Sequence, residues 1–169
     1  MDIFCEYIVK KKTTAKDRVT QLGIIFLALF ISFLLVLFNN LLFGFGLLLI
    51  AAVIYGAIFL IRKTKIEYEY ILTNSILDID KIFAKSSRKR VETIDFKNVE
   101  AFGKAEDAPK YPAKELDYAG DITADNVYYV EYAKNGEKRR VYFQPNQKIL
   151  NNLHHIAPRI VINTWGSYE

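Results

Sequence analysis

The most distinctive pattern in the chain is a long apolar stretch near its N-terminus. Residues 19–61 contain no charged side chain. A helix rises about 1.5 Å per residue, so a hydrocarbon core of roughly 30 Å requires about twenty apolar residues. The stretch holds two such lengths, residues 20–38 and 41–61, separated by two asparagines at 39–40 that favour a turn. The pattern therefore predicts a transmembrane helical hairpin over residues 20–62.

Basic side chains flank both outer ends of this hairpin, and its central turn has none. Because Lys and Arg collect on the cytoplasmic side of short membrane segments, both termini are predicted to lie in the cytoplasm, with the protein in the inner membrane. A cleaved signal peptide would have a shorter apolar part and a small-residue cleavage site. The topology determinants are Lys10, Lys11, Lys12, Lys16, Arg18, Arg62, Lys63 and Lys65.

The segment before the first span, residues 1–19, is basic, and its apolar side chains recur at helical spacing. This spacing predicts an amphipathic helix over residues 2–12 that lies in the membrane interface. The apolar positions are Ile3, Phe4, Tyr7 and Ile8.

The rest of the chain, residues 63–169, alternates apolar and polar side chains as β-strands do. Residues 66–72 and 76–83 predict a hairpin around a short turn. Residues 127–133 and 138–143 predict another, because Asn-Gly between two alternating runs is the strongest short hairpin signal. Further extended segments are expected at 88–95 and 99–104.

The hydrophobic period becomes helical near the C-terminus. Apolar side chains from Ile149 to Ile156 share one face, Pro145 suits a first helical turn, and Pro158 ends the pattern. A C-terminal helix is therefore predicted over residues 145–157. The predicted fold class is α+β: a transmembrane helical hairpin followed by a small, mostly antiparallel β domain that the C-terminal helix closes.

Residues 105–126 are the least regular part of this domain and contain two prolines, one glycine and many charges. A structureless segment of about twenty residues is unusual within a compact domain. We therefore expect either a short strand near residues 115–118 or a mobile functional loop.

The formal net charge of +4 belongs to the membrane flanks. Residues 1–65 carry eight Lys or Arg and three Asp or Glu, whereas residues 66–169 carry fifteen and sixteen. A nearly neutral soluble part argues against nucleic-acid binding, which needs a basic surface. Cys5 is the single cysteine, which excludes a disulfide framework within the chain and a zinc site of the paired-cysteine kind.

The residues that could carry chemistry are few. Asp78 and Asp80 share one face of a predicted strand, but two carboxylates alone form a weak cation site, and a solvated face is the alternative. His154 and His155 are adjacent on a predicted helix and point about 100° apart, which does not suit joint metal binding. No phosphate-binding loop or nucleophile motif is present in the sequence. We therefore expect no enzyme activity and no cofactor.

Several segments together resemble a known family. After the two spans come Glu-Tyr-Glu-Tyr-Ile-Leu-Thr-Asn at 67–74, Leu-Asp-Ile-Asp-Lys-Ile at 77–82, Arg-Lys-Arg at 88–90 and Phe-Gln-Pro at 143–145. This order resembles a family of uncharacterised small bacterial membrane proteins whose cytoplasmic part has a bacterial pleckstrin-homology-like (PH-like) fold. The resemblance covers most of the chain except residues 105–126, and it implies a PH-like domain over residues 63–169.

The resemblance does not carry over a lipid-headgroup role. Phosphoinositide-binding members of the wider fold use a long basic loop between their first two strands, and here that link is only residues 73–75. A basic group at the next turn is the nearest substitute, at about 1 kcal/mol per basic residue near an anionic leaflet. A solvated strand end is the alternative. The group consists of Lys85, Arg88, Lys89 and Arg90.

Two functional hypotheses follow. The first is a non-enzymatic, membrane-anchored PH-like module that binds a protein partner or senses the inner membrane surface. The second is an accessory subunit whose hairpin forms homo-oligomers or joins a larger membrane complex. Exposed tyrosines would supply a contact face, with the sheet core as their alternative location; the candidates are Tyr128, Tyr129, Tyr132 and Tyr142. We also expect Trp165 and Tyr168 to rest at the membrane interface.

Overall fold

A computed structural model of the chain describes residues 3–38 and 44–162. The expected turn at 39–40 and the interfacial side chains Trp165 and Tyr168 lie outside the described residues. The elements within them, in chain order, are β1 (Phe4–Lys10), α1 (Ala15–Leu37), α2 (Gly46–Lys63), β2 (Ile66–Thr73), β3 (Ile76–Phe83), β4 (Ser87–Asp95), β5 (Val99–Lys104), β6 (Lys114–Asp117), β7 (Tyr128–Lys134), β8 (Glu137–Phe143) and α3 (Gln147–Ile156).

These elements form two compact units. The hairpin unit comprises the described residues from 13 to 66 together with residues 83–86, and the β unit comprises residues 3–12, 67–82 and 87–162. The α+β class predicted from the sequence is confirmed.

The hairpin unit consists of α1 and α2, which are both long and apolar enough to span a membrane. Thr14 and Asp17 form a capping box at the start of α1, which satisfies backbone N–H groups that would otherwise lack partners. The ends of the two helices are tied together by the Gln21 amide, which donates to the Thr64 hydroxyl over 2.8 Å. No residue of α1 is buried, so its apolar side chains are exposed on the surface of this unit.

The N-terminal segment is a β-strand, and the amphipathic helix predicted over residues 2–12 is wrong. β1 pairs antiparallel with β2 along its whole length, from Phe4 opposite Thr73 to Lys10 opposite Glu67. A short apolar run fits both periods, and aromatic and β-branched side chains favour a strand once a partner strand is present. Cys5 is consequently buried in the core of the β unit.

The hairpin is therefore inserted between two strands that are neighbours in one sheet. The chain leaves the β unit after β1, forms α1 and α2, and returns as β2. Lys10 and Glu67, on either side of the insertion, are directly opposite each other in the strand pair.

Two four-stranded sheets make up the β unit. Their strand orders are β1-β2-β3-β4 and β5-β7-β8-β6, and β6 runs parallel to β8. Tyr70 from the first sheet meets Phe143 from the second edge to face, with ring centroids 5.7 Å apart. On α3, which Asn146 caps, Ile149 and Leu153 are fully buried. Apolar side chains of both sheets and of α3 thus form the core.

The Asn-Gly signal for the β7–β8 hairpin is confirmed. Asn135 and Gly136 have φ angles of 54° and 78°, which are the left-handed values that a two-residue hairpin loop needs. Of the two alternatives for the irregular segment, the short strand is correct. β6 covers Lys114–Asp117 and pairs with β8.

Candidate functional site

The predicted basic group is partly neutralised within the protein. The Arg88 guanidinium lies 2.9 Å from the buried carboxylate of Glu69, and Arg90 lies 2.8 Å from Asp78 and 2.9 Å from Asp80. Lys89 is exposed, and Lys85 lies in a tight turn with a φ of 59°. Lipid contact by this group stays a prediction, and two of its four cations already have carboxylate partners.

The aspartates considered for cation binding instead hold Arg90. Asp78 also accepts a hydrogen bond from the Thr93 hydroxyl over 2.6 Å. His154 lies with its ring Nδ1 2.6 Å from the Val161 carbonyl, whereas His155 is exposed. Within residues 3–38 and 44–162, no three His, Cys, Asp or Glu side chains are grouped so that they could hold a metal ion.

The basic residues predicted to determine the membrane topology lie where helices and strands begin or end. Lys10 ends β1, Lys11 and Lys12 follow it, and Lys16 and Arg18 are in the first turns of α1. At the other flank, Arg62 and Lys63 occupy the last turn of α2, where the helix dipole favours cations, and Lys65 precedes β2.

Lys12 also forms an ion pair within the β unit, 2.5 Å from the carboxylate of Asp121. Hydrogen bonds from Lys12 and Thr123 lower the pKa of Asp121 to about 2.

A buried charge network lies on the outer face of the second sheet. Glu131 on β7 and Arg140 on β8 are directly opposed, fully or almost fully buried, and 2.7 Å apart. Arg140 also lies 2.9 Å from Glu115 of β6, and the Tyr111 hydroxyl donates to Glu131. Burial lowers the pKa of Arg140, but its carboxylate partners outweigh that effect and raise it above the ordinary value. Residues of the irregular segment 105–126 therefore complete this network.

Glu92 of β4 is the centre of a second buried network. Its carboxylate contacts Lys134 and lies 2.9 Å from Arg139. Burial alone would raise the pKa of Glu92, but hydrogen bonds from these two cations lower it. The charges of both networks are therefore paired within the β unit.

A concave surface with an acidic rim lies next to the first network, and we call it the acidic groove. A row of directly opposed residues crosses the second sheet at this point: Asp117, Tyr142, Tyr129 and Gly103. A Cβ atom at Gly103 would lie 3.0 Å from the Tyr129 ring, so glycine lets that ring lie across β5. The segment 122–125 forms the other wall, and the open groove has a volume of about 510 Å³.

The rim of the acidic groove carries four carboxylates and one ammonium group. The carboxylates belong to Glu106, Glu115, Asp117 and Asp125, and the ammonium group belongs to Lys104. Their formal sum is −3. Ile122 and Tyr142, which also line the groove, supply apolar surface beside these charges. The groove can therefore accept a cationic group with an apolar stem.

Of the two locations considered for the four tyrosines, a contact face and the sheet core, burial holds for three. Tyr128, Tyr129 and Tyr132 are buried, at 4%, 7% and 5% exposure. Tyr142 alone of the four is half-buried, and it lines the acidic groove. Successive side chains of a strand point to opposite faces of the sheet. Here the irregular segment 105–126 covers part of the outer face as well, so tyrosines on both faces are buried.

A family model described as bacterial PH-like domain (DUF6106) matches residues 1–163 of the chain. The chain belongs to this family. The resemblance proposed from the sequence is thereby confirmed, including a PH-like fold. No curated protein and no solved structure matches the chain.

The residues that the family model matches begin before β1 and include both apolar helices. The hairpin is thus part of the region that the family model covers. The groove of this PH-like domain was missed from the sequence because its rim residues are scattered over residues 104–125. The one available signal was the density of Asp and Glu in an otherwise irregular segment.

Proposed function

We propose that this PH-like protein is a non-enzymatic interaction module that a transmembrane hairpin anchors in the inner membrane, with both termini in the cytoplasm. The observation that carries the proposal is the insertion of α1 and α2 between the paired strands β1 and β2. The two outer ends of the hairpin leave the same end of one strand pair. A hairpin that spans the bilayer must then enter and leave on the side where the β unit lies.

The charge of the flanks supports the cytoplasmic side. Basic residues precede α1 and end α2, and such residues are retained on the cytoplasmic side of short membrane segments. Lys12 of this flank is itself part of the β unit, since its backbone N–H donates to Gly120 over 2.7 Å and its ammonium group pairs with Asp121.

Binding rather than catalysis is favoured because the buried carboxylates of the β unit are paired with cations. Glu92 and Glu131 are each engaged by cations inside the fold. The concave acidic groove has the shape and mixed lining of a binding surface, with a volume of about 510 Å³. Contact of Lys85 and Lys89 with anionic lipid would add to membrane attachment.

Co-purification from native membranes in mild detergent tests this function. We would compare the full chain with a linker chain, in which residues 13–65 are replaced by four residues of Gly and Asn, and with a hairpin control of residues 11–65 fused to an unrelated soluble domain. The linker chain is expected to retain a specific protein partner, and the hairpin control is not.

The opposite pattern would contradict the interaction-module proposal. A partner, or a second copy of the chain, that is retained by the hairpin control and lost by the linker chain would instead support an accessory subunit assembled through its hairpin. The exposed apolar side chains of α1 are the observation that supports this second function.

A further inference from the structure

We infer that the acidic groove binds an extended, basic peptide segment of a partner protein. This inference rests on the proposed function and specifies its binding surface and the chemistry of its partner. Charge complementarity indicates a basic ligand, since four carboxylates and one ammonium group line the groove.

The shape of the surface suits an extended chain rather than a single side chain. A second cavity of about 410 Å³ adjoins the acidic groove, and Lys104 and Asp125 contribute to the lining of both. The second cavity reaches the start of α3, where Asn146 and Leu150 contribute to its wall. A strand rises about 3.3 Å per residue, so several residues of an extended peptide can occupy such a surface.

The carboxylates of the rim are only partly compensated by the protein itself. Glu106 keeps 74% of its side chain exposed beside Lys104, at a nitrogen-to-oxygen distance of 3.7 Å. Glu115 is paired with Arg140, but this cation is 3% exposed and lies beneath the rim. Asp117 accepts one backbone N–H, from Ala119 over 2.9 Å. An excess of negative charge therefore faces the opening.

The surface below the rim suits Arg and Lys side chains in particular. These side chains pack their aliphatic stems on apolar groups while their charged heads reach a carboxylate. Ile122 is 44% exposed and Tyr142 half-buried, so apolar contact area is available within the groove. Arg adds a planar guanidinium that pairs with carboxylates through two hydrogen bonds.

The test uses the full chain in nanodiscs of phosphatidylcholine, because this zwitterionic lipid does not itself attract basic peptides. The probes are a fluorescein-labelled hexapeptide of alternating Arg and Ala, and its Glu–Ala counterpart, followed by fluorescence anisotropy. We expect the Arg–Ala peptide to bind and the Glu–Ala peptide not to bind. Raising the salt concentration should weaken the binding, since exposed charges are screened.

A matched pair of variants localises the binding. Asp117→Asn with Asp125→Asn removes two rim charges and is expected to raise the Kd about tenfold. Glu100→Gln with Glu137→Gln removes two exposed charges of the same sheet outside the groove and is expected to change the Kd less than twofold. Glu106→Gln with Asp125→Asn is a second groove variant that keeps the Asp117 contact, and thermal unfolding checks that each variant is folded.

Three results of the peptide-binding experiment would overturn the inference. They are no binding of the Arg–Ala peptide, an equal loss in the control variant, and binding of free spermine as tight as that of the peptide, which would assign the groove to small polyamines. Failure of the proposed function can be distinguished from failure of this inference, because co-purification, not peptide binding, tests the proposed function. If the folded groove variants still retain the partner of the linker chain, the module function stands and the groove is not its docking surface.

Discussion

A β unit that lacks β1 is expected not to fold, whereas a β unit that lacks only the hairpin is expected to fold. The comparison is between residues 66–162 alone and the linker chain, which keeps β1. Without β1, the pairing with β2 along seven residues is lost and the buried Cys5 side chain is removed. The contact between Tyr7 and Tyr70, with ring centroids 6.3 Å apart, is also lost.

The expected loss is large compared with the stability of a small domain. Each net hydrogen bond contributes about 1 kcal/mol and each buried apolar side chain about 1.5–3 kcal/mol, so the loss is on the order of 5 kcal/mol or more. Domains of this size are stable by about 5–15 kcal/mol in total. An exposed β2 edge would also promote aggregation.

Circular dichroism and urea unfolding of the two chains measure this difference. The linker chain should show a cooperative unfolding transition, and residues 66–162 alone should show none or should aggregate. If both chains unfold cooperatively at similar urea concentrations, β1 is not an integral strand of the domain. Such a result would also remove the topological argument for the orientation of the hairpin.

Replacing Arg140 by methionine is expected to destabilise the β unit strongly. In Arg140→Met, the carboxylate of Glu131 would remain fully buried without its cation, although Tyr111 still donates to it. Breaking a buried ion pair by removing one partner costs about 3–5 kcal/mol. Replacing both partners by apolar residues of similar volume removes the uncompensated charge, so Glu131→Leu with Arg140→Met should recover much of the loss.

Urea unfolding of the linker chain and its variants checks this prediction. Lys114→Met is the matched control, because Lys114 forms an exposed pair with Glu137 at 3.2 Å, and exposed pairs contribute about 0–1 kcal/mol. The predicted role of Arg140 as the cation that compensates buried Glu131 is contradicted if Arg140→Met costs no more stability than Lys114→Met. It is also contradicted if the double variant is less stable than Arg140→Met alone.

The sequence predicted those elements that a few neighbouring residues specify. The Asn135-Gly136 loop and the apolar face of α3 are encoded within a few residues, and both are present in the structure. β1 was missed because its seven residues fit a helical period as well as a strand. The partner that makes it a strand, β2, lies about sixty residues further along the chain.

The candidate site depended even more on contacts between distant residues. β6 pairs parallel with β8, and this pairing places Glu115 and Asp117 beside Arg140 and Tyr142. No local period in an irregular segment predicts such a pairing. The basic group at 85–90 was found from the sequence, but its compensation by acidic residues was not, since those partners lie on other strands. Asp78 and Asp80 lie on β3, the neighbour of β4, and Glu69 lies on β2, one strand further away.

Labelling of single cysteines in intact spheroplasts with a membrane-impermeant maleimide would show on which side of the membrane the PH-like domain lies. In a Cys5→Ala background, Asn40→Cys tests the turn that the sequence predicts between the proposed spans, and Lys110→Cys tests an exposed position of the β unit. We predict that Asn40→Cys is labelled in intact spheroplasts and Lys110→Cys only after permeabilisation. Labelling of Lys110→Cys in intact spheroplasts, or of neither position before permeabilisation, would contradict a cytoplasmic PH-like domain anchored by a spanning hairpin.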